Sequence, residues 1–208
     1  MLITFGIRGN LRFLSHSETV SVFERACVRA EVELRYSEGF NPRPRLSLPL
    51  PKSVRMEVDA DIACIGVVES VEGVDAERLA AAIGGELPEG MEVIGVELRK
   101  GKAVASAESA TYLFPLGVEQ RGEDLDARVR ELLGRESIEV DRRVDEEGRT
   151  RKVEVRRFLK SAEVGGEGLL VECVTGPEGS VRVEEIEKLL GLDLAGPIRR
   201  TKVEWKCN

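Results

Sequence analysis

With 208 residues, 42% apolar and 33% charged, the chain can make one large or two small globular domains. It has no run of eighteen apolar residues, and Met1-Leu2-Ile3-Thr4-Phe5 enters a strand-like pattern at once, so neither a membrane span nor a leader is expected and a cytoplasmic location is. The net charge of −7 argues against indiscriminate coating of nucleic acid, yet residues 1–55 carry nine Lys/Arg against five Glu. That stretch is +4 and leaves −11 for the remainder, while residues 142–160 are again +4. Arginines outnumber lysines 23 to 8, which suits phosphate and base edges but also follows from a compositional bias.

Leu2 to Ile7 reads as a strand and Gly9-Asn10 as a turn. Ser15-x-x-Glu18 is a capping box, each side chain satisfying a backbone N–H at a helix start. Val20, Phe23, Cys27 and Ala30 follow at helical spacing as one buried stripe, with Glu18, Arg25 and Arg29 near the opposite face. Leu34 to Tyr36 and Arg45 to Leu50 read as extended. Val58, Ala60, Ile62 and Cys64 alternate with Glu57, Asp59 and Asp61, a strand with one wet face. Ala76, Leu79, Ala80 and Ile83 predict a second helix stopped by Gly84-Gly85, and Ile94, Val96 and Leu98 a returning strand.

Gly101 to Ala110 is small and polar and reads as a linker or loop. A comparable order then recurs. Thr111 to Leu116 is strand-like, Leu125, Val129 and Leu132 form a helix face ended by Gly134, and Ile138 to Val140 is extended. Further strands fit Arg151 to Val155 and Leu169 to Cys173, followed by a helix with Val183, Ile186 and Leu190 and a strand ending near Trp205. The predicted fold class is α+β: two ferredoxin-like halves of βαββαβ type, with helices packed on antiparallel sheets, over residues 1–102 and 108–208.

The chain lacks a cysteine triplet for an iron-sulfur cluster, a CxxC or HExxH pattern, a phosphate loop and a GxSxG elbow. Cys27, Cys64, Cys173 and Cys207 are far apart, and three fall in apolar periodic patterns, as small buried hydrophobes of a reducing compartment do. No metal site and no cofactor are therefore expected in this chain. Glu57, Asp59 and Asp61 carry the oxygens a divalent cation needs, but alternate residues on a strand are also simply its solvated face. Gly165-Gly166-Glu167-Gly168 lies between strand-like runs and reads as a hairpin loop.

His16, the only histidine, is the acid–base candidate, with Glu18 and Glu38 as potential partners. The alternative is a histidine packed at the helix start and hydrogen-bonded to a strand. In the next distinctive segment Asn41, Arg43 and Arg45 alternate with Pro42 and Pro44, which predicts a stiff extended rod. Tyr36 and Phe40, interleaved with Arg35, Arg43 and Arg45, offer stacking surfaces beside phosphate donors. The competing reading is a proline-rich connection whose arginines pair with carboxylates such as Glu38 and whose aromatics belong to the core.

Phe13-Leu14-Ser15-His16, followed twenty residues on by Tyr36-Ser37-Glu38-Gly39-Phe40-Asn41-Pro42-Arg43-Pro44-Arg45-Leu46, resembles the opening signature of the radical-SAM-linked protein family, an uncharacterised bacterial domain. Weaker similarity continues through Leu87-Pro88-Glu89-Gly90, Val153-Glu154-Val155-Arg156-Arg157 and Gly179-Ser180-Val181-Arg182-Val183. In the middle one of these the family more often has Asp-Ile-Arg-Pro, from which Glu154 and Arg157 depart. The resemblance implies a domain found alone or fused behind a cobalamin-binding radical SAM enzyme, often encoded beside ribonuclease and ribosomal-protein genes.

Together these features lead to the expectation of a non-catalytic recognition or accessory domain. It would bind RNA for a separately encoded radical SAM, cobalamin-binding enzyme of RNA modification or processing, with no membrane partner. Arg35, Asn41, Arg43 and Arg45 would position the RNA, and Tyr36 or Phe40 would stack. One alternative is a protein adaptor that docks the radical SAM enzyme through the same segment. Another is an RNA-modifying enzyme that uses His16 and an acidic residue.

Overall fold

The computed structural model describes residues 1–68, 75–101, 104–144, 147–176 and 178–207. It is an α+β protein, with four α-helices among the described residues and mostly antiparallel sheet. Two compact units divide the chain. The first comprises residues 1–107 together with the chain from Trp205, and the second residues 108–204.

The first unit contains β1 (Leu2–Ile7), α1 (His16–Arg29), β2 (Leu46–Ser47), β3 (Glu57–Ile65), α2 (Ala76–Gly85) and β4 (Met91–Glu97). β1 lies between β4 and β3, β2 pairs the far side of β3, and all three pairings are antiparallel. Helix α1 begins where the sequence places it: the Glu18 amide donates to Ser15 Oγ at 3.3 Å, and Ser15 N–H donates to Glu18 Oε2 at 2.8 Å. Thr19, Phe23, Ala26 and Cys27 turn inward at helical spacing. They meet Ile3, Phe5 and Ile7 from alternate positions of β1, with the Phe5 and Phe23 rings edge to face at 4.7 Å. The other face of β1 supplies Leu2 to a smaller cluster with Ile62, Cys64, Ala105 and Trp205.

Two turns depend on glycine. Gly90 holds φ +94°, and a methyl there would stand 2.8 Å from the Arg8 carbonyl oxygen. Its own carbonyl accepts from Arg8 N–H at 2.7 Å, so Leu87-Pro88-Glu89-Gly90 is the turn that aims β4 alongside β1. Gly168, at φ +149°, lies so close to the backbone of Phe114 and Leu116 that no side chain fits.

The second unit is built from β5 (Ala105–Pro115), α3 (Glu123–Gly134), β6 (Glu139–Arg143), β7 (Thr150–Glu154), β8 (Leu159–Val164), β9 (Gly168–Val174), α4 (Val183–Leu190) and β10 (Arg199–Cys207), its first and last strands extending past its boundaries. Its sheet runs β10-β5-β9-β8, while β6 and β7 pair as a separate hairpin. Leu125, Val129 and Leu132 of α3 and Val183, Ile186 and Leu190 of α4 are buried at helical spacing. β8 and β9 are joined through Gly165–Gly168, as the glycine-rich run predicts, with Gly165 N–H donating to Gly168 O at 2.7 Å.

Two stretches depart from the sequence reading. Residues 105–110, expected as a linker, form the start of β5, where Ala105 and Ser109 are buried and Ser106 and Glu108 exposed. The period of two is there, but carried by side chains too small to signal a strand. No strand is expected at Leu159–Val164, where β8 lies, and the strand expected near Arg151 belongs to the separate hairpin. No helix among the described residues is long and apolar enough to cross a membrane.

Candidate nucleic-acid interface

The Pro/Arg segment is one arm of a closed hairpin and not the free rod that its prolines suggest. Tyr36 bridges Pro44 in antiparallel register, which sets Arg35 opposite Arg45 and Ser37 opposite Arg43. Arg45 N–H donates to Arg35 O at 2.7 Å and Ser37 N–H to Arg43 O at 2.8 Å. The Arg43 amide in turn donates to Ser37 Oγ at 3.0 Å, closing the tip that carries Glu38, Gly39, Phe40, Asn41 and Pro42. Proline still matters here: having no N–H, Pro44 fits only the non-hydrogen-bonded position of this ladder.

Alternation along the two arms puts Arg35, Ser37, Arg43 and Arg45 on one face and Tyr36 with Pro44 on the other. All six candidate residues, Arg35, Tyr36, Phe40, Asn41, Arg43 and Arg45, are exposed. Phe40 is fully exposed and Tyr36 47% exposed, so neither aromatic belongs to the core. Among the described residues neither Arg43 nor Arg45 makes an ion pair, and Glu38 holds neither of them.

The hairpin is anchored at Gly66, the residue after β3. Arg35 N–H donates to Gly66 O at 2.8 Å and Gly66 N–H to Arg45 O at 2.7 Å. A methyl at Gly66 would stand 3.0 Å from Arg45 Cβ and 3.4 Å from Arg35 Cβ. The two arginine stems therefore leave the backbone side by side over a position without a side chain. Nothing in the sequence pattern marks Gly66, because its role is clearance between strands distant in sequence.

His16 stands apart from this hairpin. It is the first residue of α1, whereas the hairpin follows the other end of that 14-residue helix, about 21 Å away at 1.5 Å per residue. The signature that is continuous in sequence is thus split between two ends of the unit. His16 is exposed and its imidazole makes no hydrogen bond among the described residues, so the packed, strand-bonded histidine is not what forms. Its surroundings are held by Lys52, whose buried ammonium donates to the carbonyls of Arg12 at 2.8 Å and Leu14 at 3.0 Å. Arg12 also lies over the exposed Phe13 ring, 4.3 Å from its centroid.

The second basic stretch is largely spent on the fold. Arg142 forks the Glu185 carboxylate and donates to Ser180 O at 2.6 Å. Arg156 donates to the carbonyls of Leu133, Arg135 and Leu159, capping the end of α3. Lys152 pairs with Glu139, Lys160 with Glu172 and Arg157 with Glu178. Asp145 and Glu146 of that stretch lie outside the described residues. Glu154 accepts from the Ile138 and Arg156 amides; burial resists its ionisation, but those bonds and the Arg157 charge hold its carboxyl below the usual range.

The acidic residues of β3 are likewise engaged in the fold. Asp59 pairs with Arg8 at 2.6 Å and Glu57 accepts from Gly9 N–H at 2.9 Å. Among the described residues no three His, Cys, Asp or Glu side chains gather where they could hold a metal ion. All four cysteines are free thiols. Burial pushes Cys27 up to about 11, and burial with the Glu172 charge pushes Cys173 up to about 12.

Fold and site together define an α+β protein that presents an exposed arginine hairpin on a packed scaffold. Residues 1–183 match the family described as "Uncharacterized protein conserved in bacteria (DUF2344)", and the chain belongs to that family. No curated protein matches the chain.

Proposed function

We propose that this chain is a recognition domain that binds RNA on the hairpin of residues 34–46, as an accessory to a separately encoded radical SAM enzyme of RNA modification or processing in the cytoplasm. The observation that carries the reading is the exposed Arg43 and Arg45, free of carboxylate partners among the described residues, beside a fully exposed Phe40. Guanidinium forks bind phosphate, an exposed ring stacks an unpaired base, and tying the tip to Ser37 lowers the entropy lost on binding. The radical SAM link rests on the resemblance of the hairpin signature alone. In each unit the strand order, β4-β1-β3-β2 and β10-β5-β9-β8, supports the finer reading of two ferredoxin-like units, the second with the β6–β7 hairpin inserted.

A second reading has the full exposure of Phe40 in its favour, since an aromatic at the tip of a closed hairpin is also a protein anchor. In that case the domain is an adaptor that docks the radical SAM enzyme. Filter binding of cellular RNA at several salt concentrations separates the two. Salt-sensitive retention that disappears on replacing Arg43 and Arg45 supports the RNA domain, whereas no retention, with a salt-tolerant complex with a radical SAM protein, supports the adaptor.

A further inference from the structure

We propose that the loops beside His16 form a second RNA contact, in which Arg12 and Arg55 bind backbone phosphate and the exposed Phe13 ring stacks a base. The proposal rests on the RNA reading above and extends it to the other end of α1, so that one strand is held at two places. Leu11 and Leu14 pack on the core, whereas Phe13 between them is 49% exposed, with the Arg12 guanidinium 4.3 Å from its ring centroid. Arg12 Nη1 donates to Gly9 O at 2.7 Å, which fixes the fork and leaves its other N–H groups to donate. Such a pair supplies a flat surface for an unpaired base beside donors for phosphate.

Arg55 is laced to the same place, its N–H donating to Arg12 O at 2.8 Å. It is exposed and holds φ +76°, a conformation that costs any residue but glycine. Lys52 is only 8% exposed, and its ammonium donates to the carbonyls of Arg12 at 2.8 Å, Leu14 at 3.0 Å and Ser53 at 3.2 Å. Burying an ammonium and holding an arginine left-handed both cost stability, and both fix the backbone beneath an exposed surface. Strain kept under side chains that face outward points to what those side chains do outside. The carboxylates nearby are engaged, Glu18 with Ser15 and Glu57 with Gly9 N–H at 2.9 Å. Among the described residues neither Arg12 nor Arg55 has an ion-pair partner, so their charge is left for an anion. The exposed His16 adds an imidazole donor. From here to the hairpin is the length of α1, about 21 Å, or about six nucleotides of a stacked strand at about 3.4 Å each.

The test uses the whole chain and a twelve-nucleotide oligouridylate with one 4-thiouridine near either end. Photo-crosslinking followed by mass spectrometry of the peptides should place one end of the strand at Phe13 and the other at Phe40. Arg55→Gly removes the guanidinium and relieves the positive φ, so it should raise the thermal midpoint while flattening the slope of log affinity against log salt by about 0.7. Phe13→Ala should weaken filter binding about tenfold, the value of one stacked base, and gives a second reading if the glycine variant folds poorly. Folded variants that both keep parental affinity and slope, or crosslinks confined to the hairpin, overturn the second contact and leave the RNA reading standing. Crosslinks at Phe13 that survive Arg43→Ala with Arg45→Ala uphold the contact and move the RNA reading to this end. No retention of the oligonucleotide by the parent chain removes the RNA reading and this contact with it.

Discussion

Arg142 on β6 and Glu185 on α4 meet in a two-point fork, Nε to Oε1 at 2.7 Å and Nη2 to Oε2 at 2.8 Å. Glu185 Oε2 also accepts from the Arg182 amide at 2.8 Å, so one carboxylate ties the β6–β7 hairpin to the start of α4. Arg43 and Arg45 have the same chemistry and no such carboxylate among the described residues. That contrast separates arginines that hold the fold from arginines offered to a partner.

The fork sets an acid limit on stability. Burial of Glu185 opposes its ionisation, but the Arg142 fork, the Arg182 amide and the Arg142 charge outweigh it and hold the carboxyl below the usual glutamate range. A depressed folded value means the stabilisation is fully present above the unfolded value near 4.3 and is lost as pH falls through the folded one. Urea midpoints between pH 3 and pH 7 should show that loss in the parent, with a smaller share in Glu185→Gln. The substitution should itself cost about 2 kcal/mol at pH 7. An unaltered pH profile in the variant counts against the fork as the titrating element.

Glycine substitutions should divide by backbone conformation. Gly90→Ala forces a side chain into φ +94° and against the Arg8 carbonyl, so a loss of more than about 1 kcal/mol is expected. Gly85→Ala at the end of α2 meets nothing within 4 Å and should gain up to about 1 kcal/mol by restricting the unfolded chain. Thermal melts of the two single variants decide, and equal shifts would contradict this account of the Leu87–Gly90 turn.

What could be read from the sequence is what depends on near neighbours. Ser15 and Glu18 fix the start of α1 three residues apart, and Phe23 and Cys27 mark its buried face, so the helix and the mixed class were legible. The Arg43 and Arg45 exposure was legible too, because proline neighbours and charge both argue against burial. What escaped depends on distant chain. Tyr36 moves to the face opposite the arginines only once Pro44 bridges it, and Gly66 matters only because Arg35 and Arg45 converge on it. Arg156 resembles its neighbour Arg157 in sequence, yet it caps α3 from twenty-three residues beyond Leu133.

His16→Ala should leave stability within about 0.5 kcal/mol of the parent, since the imidazole is exposed and has no hydrogen bond among the described residues. The capping box beside it belongs to Ser15 and Glu18 and remains intact. Chemical denaturation measures this directly. A drop above about 1 kcal/mol would return His16 to a structural role, while an unchanged midpoint makes any phenotype of the variant a matter of function.

Cys27 and Cys173 should resist alkylation in the folded protein. Only the thiolate reacts, and values of about 11 and about 12 leave little of it near neutral pH, behind a buried position in each case. Cys207, which is half-buried, should label before them. Mass spectrometry after timed iodoacetamide exposure at pH 8, with and without urea, tests the order. Labelling of Cys27 or Cys173 as fast in the folded as in the unfolded chain would refute their burial.

Arg43→Ala combined with Arg45→Ala tests the hairpin itself. Each phosphate of a single strand that the protein ceases to neutralise should lower the slope of log affinity against log salt by about 0.7, so the double variant should flatten it by about 1.4 if both arginines touch phosphate. Neither side chain pairs with a carboxylate among the described residues, and the backbone bonds Arg45 N–H to Arg35 O and Arg43 N–H to Ser37 Oγ do not need the guanidinium groups. Stability should therefore change by less than about 0.5 kcal/mol. Filter-binding titrations across salt concentrations give the slope, and circular dichroism with urea gives the folding control. A folded double variant that keeps both parental affinity and parental slope removes this face as the RNA site and leaves the exposed Phe40 tip to a protein partner.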